Sequence, residues 1–306
     1  MGSQVNDEVT VFDRDLVRHR RDRAAARLGD FDFLFMEGAE RLCDRLLDID
    51  RDFSLGVDLG CHGGEIVRCL TPSHRVGTLV QADLSPRMAA LARTNTGRPA
   101  VAADEEFLPF ADASLDVVMS NLSLHWVNDL PGALTQIRRA LKPDGLFLAS
   151  MFGLGTLAAL RDALSEAEIE IDGGLSPRVS PFADVRDLGS LLQRAGFALP
   201  VVDADTITVN YSEPMRLLAD LRGMGESNAT VLRRREPLKR SILMTAMAKY
   251  FEKHAGDDGR LPATFEVITM TAWAPAPTQQ KPLKPGSAKG RLADALDTEE
   301  VKLSNK

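Results

Sequence analysis

Five short apolar segments alternate with amphipathic helical patterns between residues 54 and 152, and this alternation restricts the fold more than any other feature. The predicted strands are SLGVDL (54–59), RVGTLVQAD (75–83), RPAVAAD (98–104), SLDVVMSNLSL (114–124) and GLFLASMF (145–152). The predicted helices between them cover about 64–70, 85–95 and 131–141. Strands that alternate with helices form βαβ units, in which helices cover both faces of a parallel sheet. The sequence therefore predicts an α/β fold.

Further helical and strand-like patterns flank this region. The predicted helices lie at 14–28, 33–50, 156–170 and 184–195. A strand is predicted near 201–209, and TFEVITMTAWA (264–274) alternates in the manner of a last strand. Residues 211–260 between these two strands are predicted to be a mainly helical insertion, interrupted by GMGESN at 223–228. From Pro275 onward the composition is that of a disordered tail.

The overall charge and the cysteine content exclude several classes of protein. The chain has 306 residues and a formal net charge of −7 at pH 7, whereas binding to nucleic acid needs a basic surface. We therefore expect no nucleic-acid partner. No apolar run approaches the length of a membrane span, and the start MGSQVNDEVT lacks the apolar region of a signal peptide. Three cysteines without a CxxC pair predict free thiols in a reducing compartment and no metal site.

One basic segment near the start departs from this acidic balance. Six arginines lie in FDRDLVRHRRDRAAARL, namely Arg14, Arg18, Arg20, Arg21, Arg23 and Arg27. Such a helix could dock an acidic partner or direct the protein to an organelle. Targeting helices are poor in acids, but this segment also contains three aspartates. We therefore predict a solvated amphipathic helix.

Acidic residues end the first three predicted strands. Asp58, Asp83 and Asp104 occupy these positions, and Asp83 follows Asp58 by 25 residues, about one βα unit. Ligands of an open parallel sheet bind beyond the carboxyl ends of its strands. Any one of these aspartates could instead cap a helix or a turn. Together they predict a crevice lined by carboxylates.

Two cofactors suit a glycine loop that is followed by such acids. The nicotinamide fingerprint needs second and third glycines that GCHGGE (60–65) does not supply in register, and Asp58 would repel a pyrophosphate. S-adenosyl-L-methionine has no phosphate and carries a sulfonium and an ammonium. Asp58 suits that positive end, Asp83 the ribose hydroxyls and Asp104 the adenine amino group. The predicted cofactor-binding residues are Asp58, Gly60, Cys61, Gly64, Asp83, Leu84, Asp104, Glu105 and Asn121.

His62 stands in this loop where a residue without a side chain is usual. Histidine adopts a positive φ less readily than glycine does, although Gly63 and Gly64 keep much of the loop's freedom. His62 either contacts the cofactor or substrate, or is a tolerated substitution that points to solvent. We predict the second.

Five motifs resemble, in order, those of the class I S-adenosylmethionine-dependent methyltransferases. They are VDLGCHGG, QADLSPRM, ADEEFLPF, SLDVVMSNLSLHW and LKPDGLFLASMFG, and the family has glycine at the position of His62. The resemblance implies a Rossmann-like sheet, mostly parallel with one antiparallel strand, and a helical insertion before the last strand. With the patterns described above, the predicted domains are an N-terminal helical segment (1–52), a methyltransferase-like domain (53–274, insertion about 211–260) and a disordered tail (275–306).

Other stretches are similar to the mitochondrial complex I assembly factors of methyltransferase fold and their bacterial relatives. These are FDRDLVRHRRDRAA, LSLHWVNDLPGAL, SPRVSPFADVRDLGSLLQRAGF, DLRGMGESN and PATFEVI, and the likeness runs from Phe12 to about Trp273. The malonyl methyltransferases of biotin synthesis are more distant relatives. The resemblance implies either methyl transfer or hydroxylation of an arginine on a complex I subunit, which would be the protein substrate. It also implies the cytoplasm of a bacterium or the mitochondrial matrix.

The sequence offers fewer candidates for residues that bind the substrate or take part in the reaction. His125, after the fourth predicted strand, is a general base, an iron ligand or a structural histidine. Glu226 and Asn228 of GMGESN offer polar contacts to a substrate, or Asn228 caps a helix. Tyr211 and Arg178 are further substrate candidates.

Three functions therefore remain open after the sequence analysis. The first is an S-adenosyl-L-methionine-dependent methyltransferase with a protein or carboxylate acceptor. The second is a protein-arginine hydroxylase, and the third is a non-enzymatic assembly factor.

Overall fold

A single seven-stranded sheet organises the protein, seen in a computed structural model that describes residues 10–280 and residue 298. Its strands are β1 (Phe53–Leu59), β2 (Val76–Asp83), β3 (Ala100–Ala102), β4 (Leu115–Asn121), β5 (Leu141–Phe152), β6 (Ala198–Tyr211) and β7 (Leu261–Trp273). Residues 10–275 belong to one compact unit. Of the predicted tail, residues 281–297 and 299–306 lie outside the described part.

The strand order is β3-β2-β1-β4-β5-β7-β6. β1 pairs in parallel with β2 and β4, β2 with β3, and β4 with β5. β7 lies between β5 and β6 and runs antiparallel to both. The prediction of a mostly parallel sheet with one antiparallel strand is therefore confirmed.

Nine α-helices accompany these strands in the described part of the chain. They are α1 (Arg14–Ala24), α2 (Phe33–Leu47), α3 (Glu65–Cys69), α4 (Pro86–Thr96), α5 (Leu130–Ala140), α6 (Ala158–Asp172), α7 (Val185–Arg194), α8 (Pro214–Met224) and α9 (Arg240–His254). The insertion before the last strand contains α8 and α9, with a non-helical segment between them that the sequence did not predict in full. β4 ends three residues before its predicted end, because Leu122 has φ 46° and turns the chain into a 3₁₀ turn.

Local sequence fixes where each strand passes into its helix. Ser85 accepts a hydrogen bond from the Met88 amide (3.1 Å), and Pro86 occupies the first turn of α4. Gly97, at φ 68°, ends the same helix. Asp129 starts α5 in the same way by accepting from the Gly132 amide (2.9 Å). These caps hold the carboxyl ends of the strands at one edge.

The core lies on both faces of the sheet, as β5 shows. Leu146 and Leu148 pack in one cluster with Leu42 of α2, whereas Phe147 and Ala149 pack in another with residues of α5 and α7. Successive residues of a strand point to opposite faces, so each face is covered by its own helices. The prediction of helices on both faces is confirmed. Among the described residues, no helix is long and apolar enough to cross a membrane.

Gly56 of β1 is required by the close approach of β4. A Cβ atom there would lie 2.8 Å from the Val117 carbonyl oxygen and 2.4 Å from Val117 Cγ1. We expect Gly56→Ala to lower the free energy of unfolding by about 1–3 kcal/mol, because the packed strands must shift. Urea denaturation would measure this. Gly174→Ala is the control, since a Cβ there meets nothing within 4 Å, and an equal effect in both variants would contradict the expectation.

Candidate functional site

Acidic side chains converge beyond the carboxyl ends of β1, β2 and β3. Asp83 is fully buried and accepts hydrogen bonds from the amides of His62 (3.1 Å) and Ser85 (2.8 Å). Asp104 and Glu105 follow β3, and Glu105 is also fully buried. We call Asp58, Asp83, Asp104 and Glu105 the acidic crevice. The sequence had predicted that the three aspartates would line one crevice, and it had placed Glu105 among the cofactor-binding residues.

The acidic crevice encloses a cation supplied by the chain itself. The Arg21 side chain of α1 is fully buried, and its Nη1 lies 3.5 Å from both Asp83 oxygens and 3.3 Å from Glu105 Oε1. Its Nη2 donates to Ser123 Oγ at 2.9 Å. Arg14 donates to Asp104 Oδ1 at 2.6 Å and also to Glu105. The prediction that α1 is merely a solvated helix is wrong for these two arginines.

The geometry of α1 explains why the two arginines act together. Asp13 caps the helix by accepting from the Leu16 amide at 3.0 Å. Arg14 and Arg21 are seven residues apart, which is about two helical turns, so they lie on the same face. That face lies against the sheet edge and carries two guanidinium groups into the acidic crevice.

The two arginines decide the charge state of Glu105. Burial alone would raise the pKa of Glu105, but Arg14 and then Arg21 lower it to about 2. Burial raises the pKa of Asp83 above its ordinary value, although Arg21 opposes this shift. Glu105 is therefore the ionised anchor of the helix.

Asp58, at the end of β1, differs from the other acids of the crevice. Its side chain is fully buried, and neither carboxyl oxygen has a hydrogen-bond partner within the described residues. Burial, and then the neighbouring Glu65 and Asp83, raise the pKa of Asp58 well above its ordinary value. A buried acceptor without a donor is costly, so this carboxyl group suits a cationic ligand.

His62 does not point to solvent, which corrects the prediction made from the sequence. Its φ is 47°, its exposure is 1%, and its ring stacks on Phe35 of α2 with the centroids 4.0 Å apart. Nε2 donates to the Asn121 carbonyl oxygen at 3.0 Å. Burial, and then Arg21, lower the pKa of His62 to about 3. The residue is thus a neutral, packed part of the loop.

The rest of the glycine loop is also enclosed by protein. Gly60 (φ 75°), Cys61 and Gly64 (φ 88°) are all buried, and a Cβ at Gly60 would lie 2.0 Å from Ser123 Oγ. Positive φ at Gly60 and Gly64 agrees with the predicted turn. The side chain of Ser123, which sequence analysis had not singled out, covers this face of the loop.

Asn121 and Leu84 have internal partners. Asn121 donates to the Phe35 carbonyl oxygen (2.7 Å) and accepts from Ser150 Oγ (3.0 Å). Leu84 packs against the cluster that contains Phe12 and Trp126. The structure thus places both beside the crevice, in contact with its supporting elements.

A second group of buried polar side chains joins the end of β4 to GMGESN. His125 Nε2 lies 2.9 Å from Glu226 Oε2, and Trp126 Nε1 donates to the same oxygen at 2.9 Å. Burial opposes ionisation of Glu226, but His125 and then Arg21 lower its pKa below the ordinary value. Glu226 Oε1 and His125 Nδ1 are buried without partners in the described part. We call His125, Trp126 and Glu226 the buried triad.

A cavity of about 180 Å³ lies beside the buried triad. Apolar side chains of α6 and α8 form much of its wall, including Leu160, Leu164 and Leu218, and Glu226 also lines it. Arg178 and Asn228, two predicted substrate residues, line the same cavity. The structure therefore brings three of the four predicted substrate residues together.

Tyr211 is the fourth predicted substrate residue, and it is not among those that line this cavity. Its side chain is buried in a hydrophobic cluster. Burial, and then Asp220, raise the pKa of its hydroxyl. It packs where β6 passes into α8.

Among the described residues, no group of three or more His, Cys, Asp or Glu side chains is placed to hold a metal ion.

A family model described as a methyltransferase domain matches residues 57–149. Human mitochondrial arginine-hydroxylase NDUFAF5 is 44% identical over 290 residues, which cover 94% of this chain and 84% of that protein. Malonyl-(acyl-carrier protein) O-methyltransferase of Halorhodospira halophila is 36% identical over 274 residues, 88% of this chain and 91% of that protein.

The fold is also similar to that of a solved methyltransferase. Phosphoethanolamine N-methyltransferase 2 of Haemonchus contortus, in complex with S-adenosyl-L-methionine, superposes with a TM-score of 0.54 at 16% identity. The match covers 85% of this chain and 60% of that chain. At this level of identity the likeness concerns the fold alone.

Proposed function

The chain belongs to the family of class I S-adenosylmethionine-dependent methyltransferases that includes arginine-hydroxylase NDUFAF5 and malonyl-(acyl-carrier protein) O-methyltransferase, and on this basis we propose that it is an S-adenosyl-L-methionine-dependent enzyme that modifies a protein side chain. One observation carries the proposal. Asp83 and Glu105, after two neighbouring strands, enclose a positively charged group, and the buried carboxyl group of Asp58 lies at the end of the adjacent β1. This is the chemistry that a sulfonium nucleoside requires.

The acidic crevice offers the hydrogen-bond acceptors that this cofactor needs, but side chains of α1 occupy the space between them. In the part of the chain that the structure describes, neither carboxyl oxygen of Asp58 has a donor. Asp83 keeps lone pairs beyond the hydrogen bonds that it accepts from two backbone amides. Arg14 and Arg21 occupy the space between the carboxylates. The proposal therefore requires the two guanidinium groups to withdraw when the cofactor enters.

The cofactor supplies an activated methyl group on a positively charged sulfur. Asp58 would accept from its ammonium, Asp83 from its ribose hydroxyls and Asp104 from its adenine amino group. These residues would bind and orient the cofactor, and orientation supplies most of the rate acceleration in an in-line transfer.

The cavity beside the buried triad is the proposed acceptor site. Glu226 is ionised there, and its Oε1 has no donor among the residues described, so it would accept from the guanidinium or amine of a basic side chain. The same carboxylate would repel a carboxylate acceptor. A nitrogen acceptor must lose a proton, and Glu226 would take it while His125 and Trp126 hold the carboxylate in place.

Hydroxylation of an arginine is the second candidate reaction. It is supported by the higher identity to NDUFAF5, named an arginine hydroxylase, than to the malonyl methyltransferase, 44% against 36%. The proposed cavity serves both reactions, because both need a carboxylate beside a guanidinium. A third possibility, a factor without enzymatic activity, would use the fold for assembly alone.

Calorimetric titration of the purified protein with S-adenosyl-L-methionine tests the cofactor. We expect heat of binding, and loss of that heat in Asp83→Asn. Absence of both heat and thermal shift at millimolar cofactor would remove the methyltransferase proposal.

Mass spectrometry of the host proteome tests the reaction. We would compare proteins from cells that contain the wild-type chain, lack it, or contain Glu226→Gln. Arginine peptides that gain the mass of a methylene group in the presence of the wild-type chain support methyl transfer. A gain of one oxygen atom supports hydroxylation, and no dependent modification supports an assembly factor.

Glu226→Gln is expected to lower turnover about 100-fold, the usual contribution of a positioned base. The amide oxygen still accepts from Trp126, so the fold should remain. Initial rates with the identified protein substrate would measure the effect. Glu213→Gln, at the exposed start of the neighbouring α8, is the control. Equal rates for wild type and Glu226→Gln would exclude Glu226 from the reaction.

A further inference from the structure

A basic cleft opens beside the proposed acceptor site. Its volume is about 630 Å³, and it lies between α1, the loop before α7, and the segment from α8 to α9. We call it the arginine cleft after its six arginines, namely Arg20, Arg178, Arg222, Arg233, Arg234 and Arg235. Such a concentration is unexpected on a chain with a net charge of −7.

Three of these arginines are neutralised by acids. Arg178 pairs with Glu168 at 2.5 Å, Arg233 with Asp13 at 3.1 Å and Arg234 with Asp172 at 2.8 Å. These ion pairs hold the walls of the cleft together. They contribute little free positive charge to a ligand.

The other three arginines have no carboxylate within ion-pair distance among the described residues. Arg20 donates to the carbonyl oxygens of Ser227 and Asn228, and Arg222 and Arg235 are exposed. Burial, and then the charges of Arg233 and Arg23, lower the pKa of Arg20. The cleft therefore carries an excess of positive charge that an anionic ligand would relieve.

The arginine cleft lies next to the cavity of the buried triad, because the two share part of their walls. Arg178, Arg222, Ser227 and Asn228 line both. A ligand bound along the cleft would lie beside the cavity that Glu226 lines. Leu16 and Leu238 add apolar surface to the cleft, and the adjacent Leu232 is 78% exposed.

We propose that the arginine cleft docks an acidic segment of the partner protein. Its volume is roughly twenty times the 30 Å³ or so that one water molecule takes in the liquid, which suits several residues rather than a single phosphate. The apolar residues Leu16 and Leu238 suit a peptide with apolar side chains better than a nucleic acid, which binds mainly through its phosphates. That the segment presents its target side chain to Glu226 rests on the proposed function. The docking itself does not.

Fluorescence anisotropy with a labelled ten-residue peptide of alternating glutamate and leucine tests the docking. We expect binding at about 0.05 M salt that weakens strongly by about 0.3 M salt, because exposed charges are screened. The double variant Arg222→Ala/Arg235→Ala should bind roughly 10-fold more weakly. Both side chains are exposed, so unchanged melting temperatures should accompany the loss.

The matched control is Arg98→Ala/Arg194→Ala, which removes two exposed arginines elsewhere. Equal weakening in the control, or no binding of the peptide to wild type, would overturn the proposal. Tighter binding of a ten-nucleotide uridine RNA or of phosphatidylserine vesicles, lost in the same cleft variant, would also overturn it. The assay needs neither cofactor nor turnover. Failure to bind S-adenosyl-L-methionine would therefore leave its result interpretable.

Discussion

Replacing Arg21 with methionine should lower the free energy of unfolding by about 3–5 kcal/mol, the usual cost of removing one partner from a buried ion pair. The guanidinium is fully buried and faces carboxylates of both Asp83 and Glu105. Methionine fills similar volume but leaves these two acids without Arg21. Arg14 still contacts Glu105, so Asp83 should bear most of the cost.

Urea denaturation at neutral pH would measure this loss, with Arg18→Met as the matched control. Arg18 lies on the same helix, but its side chain is 39% exposed and, within residues 10–280, pairs only with Asp15. We expect a change within about 0.5 kcal/mol for the control, as for most surface substitutions. Arg21→Lys should fall between the two, because it keeps the charge and loses the bond from Nη2 to Ser123.

The same variant tests whether α1 competes with the cofactor. If the two arginines hold the space of S-adenosyl-L-methionine, the cofactor should raise the melting temperature of Arg21→Met more than that of wild type. A ligand that binds the folded state and donates its ribose hydroxyls to Asp83 would supply hydrogen bonds in place of those lost with Arg21. Equal shifts in both proteins would show that Arg21 and the cofactor do not share the crevice.

The sheet could be predicted from the sequence because each signal for it is local. Apolar strands, a glycine loop and the cap at Ser85 are each contained in a few residues, and together they fix the parallel order. The three aspartates at the strand ends followed from that order alone. The same reasoning placed Glu226 near the strand ends, although its partner was not apparent.

The partners of these residues could not be predicted, because they come from distant parts of the chain. Arg21 meets Asp83 across 62 positions, and Glu226 meets His125 across 101. The run of six arginines was visible, but which of them would be buried depends on how α1 packs. His62 was assigned to solvent from the freedom of its neighbouring glycines, since nothing local to the loop indicated that its ring stacks on Phe35 of α2.

Glu65, at the start of α3, should make the stability of the protein depend on pH. Its side chain is 1% exposed, it accepts from the Gly63 amide at 2.9 Å, and its other oxygen has no partner in the described part. Burial raises the pKa of Glu65 from its ordinary value to about 7, with Asp32 adding to the shift and Arg68 opposing it. Below a pH of about 4.5 both the folded and unfolded states are protonated, so folding carries no cost there.

As the pH rises from about 4.5 to about 7, Glu65 ionises in the unfolded chain before it ionises in the folded protein. The free energy of unfolding therefore falls over this range. Above a pH of about 7 Glu65 is ionised in both states, and its burial lowers the free energy of unfolding by about 3 kcal/mol, the value for a pKa shift of this size. Glu65→Gln remains neutral at every pH and keeps an oxygen for the Gly63 amide. Urea denaturation should therefore show the variant more stable than wild type by up to about 3 kcal/mol at about pH 8, and nearly equal at about pH 4.5. Glu40→Gln, on the exposed side of α2, is the control, and a difference for Glu65→Gln that does not change with pH would contradict this origin.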